Sequence, residues 1–226
     1  QTRGGEHYEL YSRHINPALV RLMRLTGWGK NFIRGEGCEL INDAGDRYLD
    51  FVSGYGCHNA GHNHPVIRDV IAGVLAMDMP SFSQVECSIA PSLAAERLCA
   101  ILPTGIDRVH FTNSGSEAVD AALKLARTVT GRKRIICCAG GFHGSSLGVL
   151  ALTDNDARRN PVRPLVPGAV TIPYNDPDAL EEALRWKDAA AFVLEPVLGE
   201  GGAVPAHESF PTAAQQLCRK YGALLI

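Results

Sequence analysis

The sequence predicts an α/β fold built on a mainly parallel sheet with helices on both faces, and three observations lead there. Apolar runs without polar alternation occur at Arg134–Cys138, 189–194 and 223–226. Stretches with helical spacing separate them, for example Val119, Ala122, Leu123 and Ala126. Glycines stand just past two of these helices, at Gly131 and Gly222, where a left-handed cap is wanted. A strand that is apolar on both faces has to be covered on both, and only a helix-wrapped parallel sheet does that routinely.

The elements follow in chain order. Residues 17–25 (PALVRLMRL) space their apolar side chains as an amphipathic start. Apolar runs flank a turn at 42–45 (NDAG), which predicts a small antiparallel pair over 39–51. Residues 54–65 form a Gly/His/Asn loop, and Pro65 suits the first turn of a helix running through Val74. Pro91 starts another helix, 92–101. From Asp107 the pattern alternates between strand and helix. The expected elements are a strand at 108–112, a helix at 116–130, a strand at Arg134–Cys138, a strand at 189–194, a helix at 211–221 and a strand beginning at Ala223. Ile226 then falls inside a buried strand, so further sequence is expected beyond it.

Composition narrows the function classes. Hydrophobic residues make up 46% of the 226 and charged residues 20%, with a formal net charge of −2. Such a balance gives no electrostatic reason to expect nucleic acid or a membrane surface as partner. No apolar run approaches the ~20 residues that span a bilayer, and QTRGGEHYEL lacks a signal-peptide pattern. The seven cysteines (38, 57, 87, 99, 137, 138 and 218) are odd in number and form no C-x-x-C pair. They are expected to be reduced thiols in a cytosolic protein. Neighbours on a strand point to opposite faces, so Cys137 and Cys138 are not expected to bridge each other.

Three short segments carry chemistry. Residues 112–118 (TNSGSEA) lie where a strand meets a helix N-terminus, whose amides and dipole suit a phosphate. Gly115 permits close approach and Ser116 offers a hydroxyl; an ordinary N-cap by Ser114 or Ser116 with Glu117 explains the same residues. Residues 140–144 (GGFHG) follow a strand end, where α/β proteins bind ligands, and place an aromatic ring beside His143. A core Phe and a structural histidine are the alternative. Residues 195–202 (EPVLGEGG) put Glu195 and Glu200 on a glycine-rich loop, to hold a cofactor ring, to pair with an arginine, or to face solvent.

In this order the motifs resemble the class III (ω-amino) pyridoxal-phosphate-dependent aminotransferases. NSGSEA at 113–118 followed by ALKLAR at 122–127 is similar to their phosphate-cup helix. FHG at 142–144 matches their ring-stacking turn, EPVLGEGG their E-P-[IV]-Q-G-E-G-G loop, and GHNHP at 61–65 their G-H-x-H-P segment. The resemblance runs from about Tyr11 to Ile226. It implies a fold-type-I transferase, with 1–60 as an N-terminal segment of the small domain and dimer contact. Residues 61–226 then form the first half of the large domain, which binds pyridoxal 5′-phosphate. Ser114, Gly115 and Ser116 are then expected to hold the phosphate, Phe142 to stack on the ring with His143 beside it, and Glu195 to stand at the site wall. Glu200 matches the position that pairs with a switchable arginine in several members. The implied reaction moves an amino group from an amine to a keto acid or aldehyde through a lysine Schiff base, in a cytoplasmic homodimer.

The sequence departs from the family in informative places. The pyridinium-binding aspartate is expected in a D-E-x-Q-[ST]-G segment after Ile226, and the lysine later still. None of Lys30, Lys124, Lys133, Lys187 and Lys220 has the matching context, so no catalytic residue is expected within the chain. Members that bind an α-carboxylate carry arginine after the F-[HW]-G turn, whereas Ser145 stands here. That points to a terminal amine, and the Asn16–Pro17 and Gly54–Tyr55–Gly56 stretches look most like diamine (putrescine) members, with Tyr55 lining the substrate channel. Leu198 replaces the loop glutamine. Rival readings are a serine hydrolase on Gly144–Gly148 (G-x-S-x-G, with Asp176 and His207) and a metal site of His58, His62 and His64. A non-catalytic half that binds a partner chain and an aminomutase similar to glutamate-1-semialdehyde aminomutase also remain open.

Overall fold

The computed structural model describes residues 6–80 and 86–226, and the chain forms two compact units, 1–86 and 87–226. In the first unit, α1 (His7–His14) precedes α2 (Pro17–Leu25). Asn16 caps α2 by accepting the Leu19 N–H at 3.0 Å, and Pro17 occupies its first turn, where no donor is needed. The expected antiparallel pair is present as β2 (Glu39–Asn42) and β3 (Arg47–Leu49), and β1 (Phe32–Glu36) adds a third strand in the order β1-β2-β3. Asn42 holds the turn by accepting the Asp46 N–H at 2.7 Å.

After β3 the backbone makes one left-handed turn, α3 (Ser53–Gly56), with φ of 49°, 58° and 57° at Ser53, Gly54 and Tyr55. L-residues resist this conformation. Asp50 stabilises it, with Oδ1 accepting the Val52 and Ser53 amides at 3.0 and 2.9 Å and Oδ2 bonded to His62 Nε2 at 2.8 Å. The acidic neighbour that the sequence around the histidines lacks is therefore supplied from twelve residues upstream. Among the described residues no group of three or more His, Cys, Asp or Glu side chains is placed to hold a metal. Helix α4 (Pro65–Leu75) starts at the expected proline.

The second unit opens with α5 (Ile89–Cys99) and α6 (Gly115–Thr130), which Gly131 ends at φ 68°. Residues 108–112 are not a strand: they are irregular, because among the described residues no strand lies beside them to form a ladder. Then come β4 (Arg134–Cys138), the short α7 (Leu147–Leu150) and α8 (Asp156–Arg159), β5 (Ala169–Ile172), α9 (Pro177–Leu184) and β6 (Ala189–Val193). A two-stranded hairpin, β7 (Val197–Leu198) and β8 (Val204–Pro205), leads to α10 (Ser209–Tyr221) and β9 (Leu224–Leu225). The β4, β5, β6 and β9 strands form one parallel sheet in the order β5-β4-β6-β9.

Side-chain alternation along β4 sorts the core into two layers. Ile136 and Cys138 pack with Phe192 against Leu180 and Leu184 of α9 and Phe210, Ala214 and Cys218 of α10. Ile135 and Cys137 pack on the other face against Leu123 and Ala126 of α6 and Val149 of α7. Cys137 and Cys138 thus point to opposite sides, and all seven cysteines are free. Among the described residues no helix is long and apolar enough to cross a membrane.

Candidate active site at the carboxyl ends of strands β4 and β6

The β4 and β6 strands are neighbours, so the loops that leave their carboxyl ends stand side by side. Sheet geometry alone therefore juxtaposes 140–144 and 195–202. Glu195 fastens them together: Oε1 accepts the Phe142 N–H at 2.7 Å and Oε2 the Gly199 N–H at 3.1 Å. Tyr174, after β5, donates its hydroxyl to the carbonyls of Glu195 and Pro196 at 2.9 and 3.2 Å. Leu198, uninformative in the sequence, is buried against this junction. A Cβ added to Gly140 would stand 3.3 Å from Leu198 Cδ1, so the leucine closes the floor between the two loops.

The N-terminus of α6 meets the same cluster. Ser114 is the N-cap, accepting the Glu117 N–H at 3.2 Å, while Glu117 accepts the Asn113 N–H at 2.7 Å. The cap reading and the anion reading are compatible, because capping leaves the amides of Gly115 and Ser116 without intrahelical acceptors. Nothing lies within 4 Å of a Cβ at Gly115, so that position is open to an incoming group. Ser116 Oγ is 2.8 Å from Ser146 Oγ and accepts the Ser146 N–H at 3.2 Å. Gly144 lies so close to Ser116 that a Cβ there would fall 2.5 Å from its hydroxyl, with φ at +129°. Only glycine lets the loop approach the helix this closely.

His143 is buried, and its Nε2 has no partner among the described residues. Burial holds its pKa below the ordinary histidine value, against an opposing effect of the Glu195 charge, so the ring is neutral near pH 7. An unpartnered buried nitrogen beside the Glu195 loop is what a site awaiting another group displays. Ser145, next in the chain, is exposed. Tyr55 belongs to the other unit, where its side chain is 88% exposed.

The segment that follows α7 was not singled out by sequence reasoning, yet it is built into the site. Thr153 Oγ1 accepts the His143 N–H at 3.3 Å and donates to the Gly144 carbonyl at 2.8 Å. Asp154 donates its N–H to the Gly141 carbonyl at 2.9 Å, and its Oδ2 accepts the Gly140 N–H at 2.9 Å. Arg158, on α8, lies 4.8 Å over the Phe142 ring and 3.4 Å from Glu200 Oε2. The hydrolase reading finds no support in these contacts: Ser146 bonds to Ser116, and Asp176 is spent capping α9 by accepting the Ala179 N–H at 2.9 Å.

Comparison with known proteins decides the family. A family model described as aminotransferase class-III matches residues 29–226. The chain belongs to the class-III aminotransferases. It is 39% identical over 199 residues to an acetylornithine aminotransferase of Bacillus cereus, covering 86% of this chain and 50% of that protein. It is 37% identical over 218 residues to the aminotransferase PigE of a Serratia species, covering 96% of this chain and 25% of that one. Among solved structures, an (S)-enantioselective ω-transaminase from Thermomicrobium roseum aligns with a TM-score of 0.85 at 26% identity, over 98% of this chain and 56% of the other. A taurine:2-oxoglutarate aminotransferase from Bifidobacterium kashiwanohense, solved with PLP and glutamate, aligns at 0.77 and 28% over 87% and 49%. The chain thus spans about half, or less, of the length of these relatives.

Proposed function

We propose that the protein is a pyridoxal 5′-phosphate-dependent aminotransferase that moves an amino group from a terminal amine, a diamine or ω-amino compound, to a keto acid or aldehyde. One observation carries the reading: Glu195 accepts the Phe142 N–H, Ser116 bonds to Ser146, and between these ties lie the open Gly115 position and the buried His143, whose Nε2 is unpaired among the described residues. The residues fit the cofactor. Ser114, Gly115 and Ser116 take the phosphate on the α6 N-terminus. Phe142 offers its ring face, His143 a neutral nitrogen, and Glu195 keeps both loops in register. When bound, the cofactor supplies the electron sink that the side chains lack. None of the lysines here stands in the context of the family's Schiff-base lysine. In our reading Ser145 and Glu200 face the substrate; Ser145, where an arginine would clamp an α-carboxylate, favours the terminal amine. A cytoplasmic homodimer is part of the same proposal.

The test is titration of the purified protein with pyridoxal 5′-phosphate, followed by fluorescence. Saturable binding of one cofactor per chain is expected, with inorganic phosphate competing for the site. Ser116→Ala is expected to weaken binding by about 10- to 100-fold, the worth of one bond to a charged group. Binding that inorganic phosphate does not compete with, and that Ser116→Ala leaves unchanged, refutes the phosphate assignment. The amine class is read from kcat/KM for a diamine against an α-amino acid.

A further inference from the structure

A second polar region lies on the α6 face of the sheet, away from the β4 and β6 ends. Helix α6 runs unbroken from Gly115 to Thr130. Arg127 therefore stands about 18 Å along the helix from Gly115, at a rise of about 1.5 Å per residue. A cavity of about 150 Å³ is lined there by Asp120, Lys124 and Arg127, beside Ile135 near the start of β4. A larger one, about 530 Å³, is lined by Arg159, Arg163 and the segment 164–169 that leads into β5. Ala151, Val166 and Ala169 belong to both walls, so the two cavities adjoin.

The charge on these walls is one-sided. Asp120 is the one acid lining them among the described residues, and Lys124 neutralises it at 2.9 Å. Arg127, Arg159 and Arg163 remain. Arg127 donates through Nη2 to the Pro167 carbonyl at 3.1 Å, which ties α6 to the wall segment. Its Nε is buried and has no partner among the described residues. Arg159 meets Asp154 at 3.7 Å through Nη1, too far for a hydrogen bond, and its Nε is likewise buried and unpaired. Arg163 donates its Nε to Asn160 at 3.0 Å, which leaves its Nη groups for another acceptor. Buried polar groups are paired in nearly all native structures. Two orphaned guanidinium nitrogens on adjoining walls therefore point to an acceptor from outside the chain.

We infer that these walls form a binding site for a small phosphate-bearing ligand, separate from the site at the strand ends. Three guanidiniums match the charge of a dianion, and each planar fork can give two N–H···O bonds to phosphate oxygens. The larger cavity is within the range of about 300–1,000 Å³ usual for small-molecule sites. Pro164, Leu165, Val166 and Pro167 give it an apolar side, which suits the body of a phosphate ester. The inference does not rest on the aminotransferase reading.

The experiment is calorimetric titration of the purified protein, carrying pyridoxal phosphate and freed of excess, with inorganic phosphate at constant ionic strength. One saturable phosphate per chain is expected while the cofactor stays bound. Arg159→Gln and Arg163→Gln are each expected to weaken it by about tenfold, and Ser116→Ala to leave it within about twofold. Arg163 is exposed and its side chain bonds only to Asn160, so its variant is expected to keep the wild-type Tm when phosphate is absent. Added phosphate is expected to raise the Tm of the wild type and to raise that of Arg163→Gln less. Glycerol 3-phosphate separates the two sources of the group: binding tighter than the free ion assigns an ester, and weaker binding assigns inorganic phosphate. Absence of saturable binding to the wild type, or unchanged affinity in both arginine variants, overturns the inference. So does loss of binding in Ser116→Ala, because the phosphate would then occupy the cradle at the α6 N-terminus. Succinate binding as tightly as phosphate also overturns it, since the walls would then select charge and not the phosphate group.

Discussion

Replacing Glu195 by glutamine keeps its size and removes one of two acceptor oxygens. In the wild type the carboxylate accepts the Phe142 amide through Oε1 at 2.7 Å and the Gly199 amide through Oε2 at 3.1 Å. A glutamine presents one oxygen and one NH2, so in either orientation one backbone N–H faces another donor. The loss is one charge-assisted bond, about 1.5–3 kcal/mol. Glu195→Ala removes both and is expected to cost about 3–5 kcal/mol, less than twice the first because the loops relax once one tie is gone. Urea unfolding gives the stabilities, provided the slope is unchanged, and hydrogen exchange reads the Phe142 and Gly199 amides directly. Both amides are expected to lose protection in the alanine variant and one of them in the glutamine variant. A change below about 0.5 kcal/mol, with both amides as slow as in the wild type, refutes the view that Glu195 is the clasp between the two loops.

Three further outcomes are expected. Gly144→Ala puts a Cβ 2.5 Å from Ser116 Oγ and 2.9 Å from its Cα at φ +129°, and strain plus overpacking is expected to cost about 2–6 kcal/mol in urea unfolding; a neutral result refutes the close approach. Because burial lowers the pKa of His143 below 6.5, the unfolded chain binds a proton there that the folded one does not. Stability should therefore decline as pH falls through 6.5 and level off once the folded ring is protonated, and His143→Gln should flatten that slope in Tm against pH; parallel slopes refute it. Desolvation raises the buried thiols, Cys138 to about 12 and Cys218 to about 11, so at pH 7 a thiol reagent should modify exposed Cys38, Cys57 and Cys87 first. Rapid labelling of Cys138 or Cys218 in the native protein, located by peptide mass, contradicts their burial.

What the sequence made legible is what repeats locally. The β4 and β6 strands were readable as uninterrupted apolar runs, and α6 and α10 because each shows a helical period and ends at a glycine that adopts the left-handed cap, Gly131 and Gly222. The strand β5 and helix α9 escaped notice: AVTI is four residues with one polar member, too short for a period to stand out. Residues 108–112 have strand-like composition but no ladder, because a strand is defined by its neighbour and composition says nothing of one. The site divides the same way. Ser114, Gly115, Phe142 and Glu195 were visible because glycine-rich turns at strand ends mark themselves. Thr153, Asp154 and Arg158 were not, since nothing distinguishes one arginine among 22 basic residues until a connection folds back over the turn it serves. The Thr153 hydroxyl, bonded to both His143 and Gly144, is what returns that segment to the site. Sequence motifs therefore reported the walls built by strand ends, while the charge beside Phe142 is placed by a segment that Thr153 and Asp154 tie to residues nine to fourteen positions earlier.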